Sequence, residues 1–181
     1  VIPGLYKRIV DEMLVELNLL NHQNDFIQDQ LFCFGLTETF KELTKGYKPE
    51  EHLVLLFESL CNSSNFDPKK IKEISNKTLE EYKEKSLEEI DILLTEKSST
   101  NLYSSRILNL GIYLIISNAT DFNEKKDSER NKMISDIINK LNLSVNKAEK
   151  DIGIYKSSLI KMEQAKELLQ EAKIKDKKRK V

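Results

Sequence analysis

Between Arg106 and Ser117 the chain reads Arg-Ile-Leu-Asn-Leu-Gly-Ile-Tyr-Leu-Ile-Ile-Ser. At ~100° per residue, Ile107, Leu108, Leu110, Ile112, Leu114, Ile115 and Ile116 leave no continuous polar face, so a helix here belongs inside the protein. The run falls well short of the ~18 apolar residues of a membrane span, which makes the enclosing medium protein. Other stretches carry one apolar stripe each. Leu5, Ile9, Met13, Leu17 and Leu20 follow Pro3 at helical spacing, opposite Lys7, Arg8, Asp11, Glu12 and Glu16. A helix from about Asp29 to Lys45 turns Leu31, Phe32, Phe34, Leu36, Phe40 and Leu43 inward and stops at Gly46. Gly35 inside it costs about 1 kcal/mol relative to Ala, which a close helix crossing would justify. Pro49 opens a third helix with Leu53, Leu56, Phe57, Leu60 and Cys61 as its core face. Asp67-Pro68 starts a fourth, carrying Ile71, Ile74, Leu79 and Tyr82 among charges and therefore expected on the surface.

Ser86-Leu87-Glu88-Glu89 is a capping-box sequence ahead of Ile90, Leu93 and Leu94. Ser98 to Asn101 reads as the loop feeding the central helix, and Asp121 to Asp127 as a disordered charged connector. A helix from Glu129 places Met133, Ile137 and Leu141 on one face. From Ser144 the pattern changes: Val145, Ala148, Ile152, Tyr155, Leu159 and Met162 alternate by three and four, the period of a coiled-coil seam. Lys166 takes the next seam position and the pattern decays. A helix from Ser144 to about Lys175 would be roughly 48 Å long, so its first half is expected to pack and its second half to project. The expected architecture is all-α: one bundle (residues 1–143) around a buried central helix at about 104–118, and a long C-terminal helix (residues 144–181).

Composition sharpens this without naming a chemistry. A chain of 181 residues, with five Gly, three Pro and 33% charged residues, suits long helices. It buries roughly 70% of its unfolded surface without disulfide or metal. The net charge of −1 is segregated: from Ser144 onward there are eleven Lys and Arg against six Asp and Glu, leaving −6 for the rest. The balance of the whole argues against nucleic acid as the main partner. The basic end has three readings: a solvated helix end, a contact for anionic lipid, or a nucleic-acid arm. Cys33 and Cys61 share no CxxC spacing; they read as core filling in a reduced compartment, with redox sensing as the alternative. Four Asn-x-Ser/Thr matches read as chance.

Candidate chemistry is sparse. His22 and His52 have no metal-ligand spacing, and His22 fits a helix C-terminus. Adjacent carboxylates such as Asp11 and Glu12, or Glu80 and Glu81, are ordinary on solvated helices. No phosphate loop or cofactor motif is present. Arg106 stands out, because a guanidinium opening the most apolar helix needs an acidic partner. Asp11, Glu12 and Glu16 are the candidates, either for a structural ion pair or, alternatively, for a small-molecule or catalytic site.

Four blocks stand in order along the chain: Leu5-Tyr6-Lys7-Arg8-Ile9-Val10-Asp11-Glu12-Met13-Leu14 and its continuation to Leu20; Asp29 to Phe40 with Gly46-Tyr47-Lys48-Pro49-Glu50; Tyr103-Ser104-Ser105-Arg106; and Glu149-Lys150-Asp151-Ile152 through Ala165. Together they resemble the Thylakoid Formation family, also described as photosystem II biogenesis factors. Gln30 stands where the family often has Pro, and Gly153 interrupts a helix the family usually fills. The family's short N-terminal lead-in is missing ahead of Val1, so a trimmed start is expected.

The resemblance implies an all-helical, non-enzymatic auxiliary protein without a cofactor. It would act in photosystem II biogenesis and repair as adaptor or stabiliser of the membrane-anchored FtsH protease. The implied location is the cytoplasmic side of the cyanobacterial thylakoid, or the chloroplast stroma and thylakoid surface, with peripheral rather than transmembrane attachment. Lys7 and Asp11 on the first helix, and Lys161, Lys173 and Lys177 on the last, are the candidate partner contacts. The competing readings are a helical-bundle enzyme with its site near Arg106, and a coiled-coil oligomerisation module built on the Val145–Met162 seam.

Overall fold

The computed structural model describes residues 3–96 and 101–180. These form eight α-helices and no strand: α1 (Gly4–Asn21), α2 (Gln30–Leu43), α3 (Glu51–Asn62), α4 (Pro68–Tyr82), α5 (Leu87–Glu96), α6 (Arg106–Ser117), α7 (Asp127–Lys140) and α8 (Val145–Arg179). Several starts are set by side chains accepting from backbone N–H groups left free in the first turn. Asp29 accepts from Leu31 and Phe32, Asp67 from Lys69 and Lys70, Ser105 from Leu108, and Ser144 from Lys147. Each cap stabilises its helix by about 1 kcal/mol. Ser86 both accepts from the Glu89 N–H and donates to the Glu89 carboxylate, each at 3.3 Å. Gly46 has a φ of +87°, two residues beyond the Thr44 cap of α2, where a Cβ would be strained.

The central helix α6 is buried on nearly every side, from Ile107 through Ile112 and again at Ile115 and Ile116. It is not alone. In α2 six consecutive residues, Leu31 to Leu36, are buried, so α2 is as interior as α6 rather than a helix with one inward stripe. Leu31, Phe34 and Leu43 face the α5–α8 side, while Phe32, Cys33, Leu36 and Phe40 face the α1, α3 and α4 side. The two helices cross at Gly35 and Gly111. A Cβ on Gly35 would overlap the Ile107 carbonyl oxygen, and one on Gly111 the Leu31 carbonyl oxygen. The crossing expected from Gly35 therefore depends equally on a second glycine.

Three local expectations change. In α1 the buried stripe is rotated: Tyr6 and Val10 are covered while Leu5 and Ile9 are half-exposed. α4 is not merely a surface helix, because it lays buried Ser75 and Thr78 against α2 and leaves Leu79 exposed. Small side chains let the two backbones approach, which a search for large apolar residues overlooks. The connector at residues 121–127 is ordered. Asp121 Oδ1 accepts from the Leu87 N–H at 2.8 Å, capping α5 from a distance, and Phe122 is buried in a 3₁₀ turn (Phe122–Glu124). Arg130 donates to the Phe122 carbonyl at 2.9 Å and lies over its ring. One charge in that stretch, Asp121, is spent on a specific contact, while Glu124, Lys126 and Asp127 stay exposed. Of the loop expected at Ser98–Asn101, only Asn101 lies within the described residues.

α8 is 35 residues long, roughly 52 Å at ~1.5 Å per residue. Ala148, Asp151, Ile152, Tyr155 and Met162 are buried on the bundle. Tyr6, Tyr47 and Met162 form a small cluster at the edge, with the two rings edge-to-face at 5.2 Å. Lys166, the residue that breaks the seam, lays its aliphatic stem over Gly46 and pairs with Glu163. Every residue from 167 to 180 is exposed. The seam is spent on its own chain, on α6, α7 and α2 and, at Met162, on Tyr6 and Tyr47, which leaves its buried residues unavailable to a coiled-coil partner.

Candidate functional site

Arg106 begins α6 where Ser105 caps it, and the helix direction brings the guanidinium against α1. There Nε and Nη2 both donate to Glu16 Oε2, at 2.9 and 2.7 Å, and the Ile107 N–H donates to Glu16 Oε1 at 3.3 Å. One carboxylate thus satisfies a cation and a free helix-start N–H, with the added benefit of a negative charge at a helix N-terminus. The two other candidate partners are engaged elsewhere: Asp11 pairs with Lys7 and Glu12 with Arg8, both one turn away on the solvent face of α1. They point outward because they lie opposite or beside the stripe that α1 buries.

Beside this pair runs a cleft between α1, α2, α6 and α8, lined by Ile9, Glu12, Met13, Thr39, Arg106, Asp151 and Tyr155 among others, with a volume of about 40 Å³. That is room for a water or two, against the ~300–1,000 Å³ of sites for small-molecule ligands. Asp151, one of its lining residues, makes a polar contact that periodicity does not reveal: the Asn109 amide donates to Asp151 Oδ2 at 2.9 Å, both residues being buried. Asn109 sits in the all-apolar run of α6 and Asp151 on the packed side of α8. A polar residue at an enclosed position was the available signal. The pair fixes how α8 seats on α6, since sliding either helix would strand a buried amide and carboxylate. The Arg106–Glu16 pair ties the start of α6 to α1, and the Asn109–Asp151 contact ties its middle to α8.

The remaining candidates are scattered. His22 caps α1, with Nδ1 2.6 Å from the Asn18 carbonyl oxygen. Among the described residues no group of three or more His, Cys, Asp or Glu is placed to hold a metal ion, and no helix is long and apolar enough to cross a membrane. Lys7 and Asp11 are exposed on α1. Lys161 lies beside Leu5, Arg8 and Met162 where α8 leaves the bundle, while Lys173 and Lys177 lie far out on α8.

Cys33 and Cys61 are fully buried on α2 and α3, and burial pushes both thiols up from 9.0 to about 12. The reactive thiolate is therefore suppressed at neutral pH. We expect neither cysteine to react with iodoacetamide at pH 8 in the native protein, and both to react once urea unfolds it. Mass spectrometry after a timed pulse reads this directly. Because these pKa values are raised on folding, the associated stability is fully present below about pH 9 and is lost as pH climbs towards 12. Burial raises the Tyr82 and Tyr155 phenols as well, adding to the alkaline loss.

A family model described as thylakoid formation protein matches residues 1–181. The chain is 85% identical over 180 residues to Protein Thf1 of Prochlorococcus marinus subsp. pastoris, covering 99% of this chain and 89% of that one. It is 73% identical over 179 residues to Protein Thf1 of Prochlorococcus marinus strain MIT 9312, with the same two coverages. A solved structure of Psb29 superposes with a TM-score of 0.83 at 26% identity, covering 98% of this chain and 89% of that chain. The fold and the full-length match agree, and the chain belongs to the thylakoid formation protein family.

Proposed function

We propose that the protein is a non-enzymatic auxiliary factor for photosystem II biogenesis and repair at the thylakoid membrane, working as adaptor or stabiliser of the membrane-anchored FtsH protease. The observation that carries this reading is the family match across the whole chain. The structure is compatible with it: a bundle in which the Arg106–Glu16, Lys140–Asp91 and Asn109–Asp151 contacts join helices to one another, and a helix that extends beyond the bundle with its surface open. In this reading residues 1–143 form the rigid body and residues 144–181 the extension, peripheral to the membrane on its cytoplasmic or stromal side. Protease contacts fall on the outer face of α1 at Lys7 and Asp11, and on α8 at Lys161.

The test is a pull-down from detergent-solubilised thylakoids with tagged protein, intact and truncated after Ala165. Truncation removes mainly exposed residues, so the bundle is expected to stay folded. Protease subunits are expected to be enriched by the intact chain. Retention by the truncated chain would place the contact on the bundle, and loss would place it beyond Ala165. Enrichment by neither would sink stable docking.

A further inference from the structure

We infer that the distal end of α8, from Lys173 to Lys180, docks end-on against the anionic surface of a lipid bilayer. This stretch carries Lys173, Lys175, Lys177, Lys178, Arg179 and Lys180 against one acid, Asp176, and every one of these residues is exposed. Residues 1–143 carry eighteen Lys and Arg against twenty-four Asp and Glu. The molecule is therefore a charge dipole whose net charge of −1 conceals a cationic tip. An anionic surface attracts that tip and repels the body.

The geometry favours a bilayer over a protein groove. At ~100° per residue the six cations leave no gap wider than ~100° around the helix, and the exposed apolar residues Leu168, Leu169 and Ile174 are spread as widely. A groove that takes up a helix reads one face, and this segment has none. A collar of charge on all sides suits a planar, diffuse array of headgroups, where each Lys or Arg near the surface contributes roughly fivefold to partitioning. Tyr155 is the last aromatic of the chain, so the segment offers no stacking platform for single-stranded nucleic acid. Reach matters too. Arg179 lies roughly 20 Å beyond Lys166, the last residue resting on the bundle, at ~1.5 Å per residue. That is about two Debye lengths at physiological salt, which keeps the acidic bundle outside most of the surface field. Lys173 and Lys177 are thereby assigned to lipid, while Lys161 stays with the bundle.

The inference does not need the protease reading, because purified protein and pure lipid test it. The purified chain is mixed with vesicles of phosphatidylcholine alone, or of phosphatidylcholine with one-third phosphatidylglycerol, and sedimented. We expect it to sediment only with the anionic vesicles, at about 0.1 M salt, and to be released at about 1 M salt. Replacing all six cations by glutamine (K173Q, K175Q, K177Q, K178Q, R179Q, K180Q) should lower partitioning by at least ~100-fold and leave the thermal midpoint unchanged. The bundle control K69Q with K70Q, two exposed residues of α4, should bind like the parent. An intact chain that stays in the supernatant with anionic vesicles at low salt overturns the assignment. So does a six-glutamine variant that sediments as well as the parent. If that variant instead loses the protease from thylakoid extract while vesicles never bind the parent, the collar is a protein contact and the lipid assignment falls.

Discussion

Gly111→Ala is expected to destabilise the protein by about 3 kcal/mol, lowering the thermal midpoint by roughly 6–12 °C for a chain of this size. The new methyl would overlap the Leu31 carbonyl oxygen and come within 3.1 Å of the Gly35 backbone. These are backbone atoms of a helix buried on both sides, so neither can yield without opening the α2–α6 crossing. The sign makes the test decisive. In an open helix the same change would stabilise by roughly 1 kcal/mol through helix propensity. Gly153 supplies that control within the same protein: it lies in α8, and a Cβ there meets nothing within 4 Å. Gly153→Ala should raise the midpoint modestly while Gly111→Ala and Gly35→Ala lower it sharply. Equal effects at positions 111 and 153 would rule out the close crossing.

Glu16→Ala carries the second large effect, a loss of about 2–3 kcal/mol read from the urea midpoint at constant slope. The carboxylate accepts two bonds from Arg106 and one from the Ile107 N–H, and its removal strands a half-buried guanidinium at the start of α6. Arg106 remains about one-third exposed, so solvent recovers part of the cost and the full penalty of a buried broken pair is not reached. Glu16→Gln, which keeps an acceptor, should lose less. Glu16→Leu combined with Arg106→Leu should recover much of the stability, since removing both partners strands nothing. Glu12→Ala and Asp11→Ala should each cost less than 1 kcal/mol, as expected of exposed pairs one turn apart. A Glu12→Ala loss matching that of Glu16→Ala would transfer the ion pair to the wrong carboxylate and refute the geometry.

Much of this architecture was legible from periodicity. The apolar run at residues 106–117 had to be enclosed, Asp67-Pro68 and Ser86 to Glu89 had to start helices, and the seam from Val145 had to lie against something before Lys166 ended it. These are local, angular facts: residue type and spacing decide which side of a helix avoids water. The burial of Ser75 and Thr78 was not legible in that way, because small polar residues mark a buried face only when another backbone presses close. Nor was the order at residues 121–127, where Asp121 caps a helix thirty-four positions earlier in the chain.

By itself the sequence determined the all-helical class, the helix boundaries to within a few residues, the interior position of α6, the segregation of charge towards the C-terminal end and the family blocks. Only the tertiary structure decided that α2 shares the interior with α6, that Gly111 answers Gly35, that Asn109 meets Asp151, and that Arg106 takes Glu16. The last choice shows why. Glu12 and Glu16 stand one turn apart on α1, separated by ~6 Å along its axis and only ~40° around it. Periodicity sees them as near neighbours on one face. Which of them reaches Arg106 depends on how far α1 slides along α6, and that offset is set by the summed packing of Met13, Leu17 and Leu20 on the core, a property of two helices together and of neither alone.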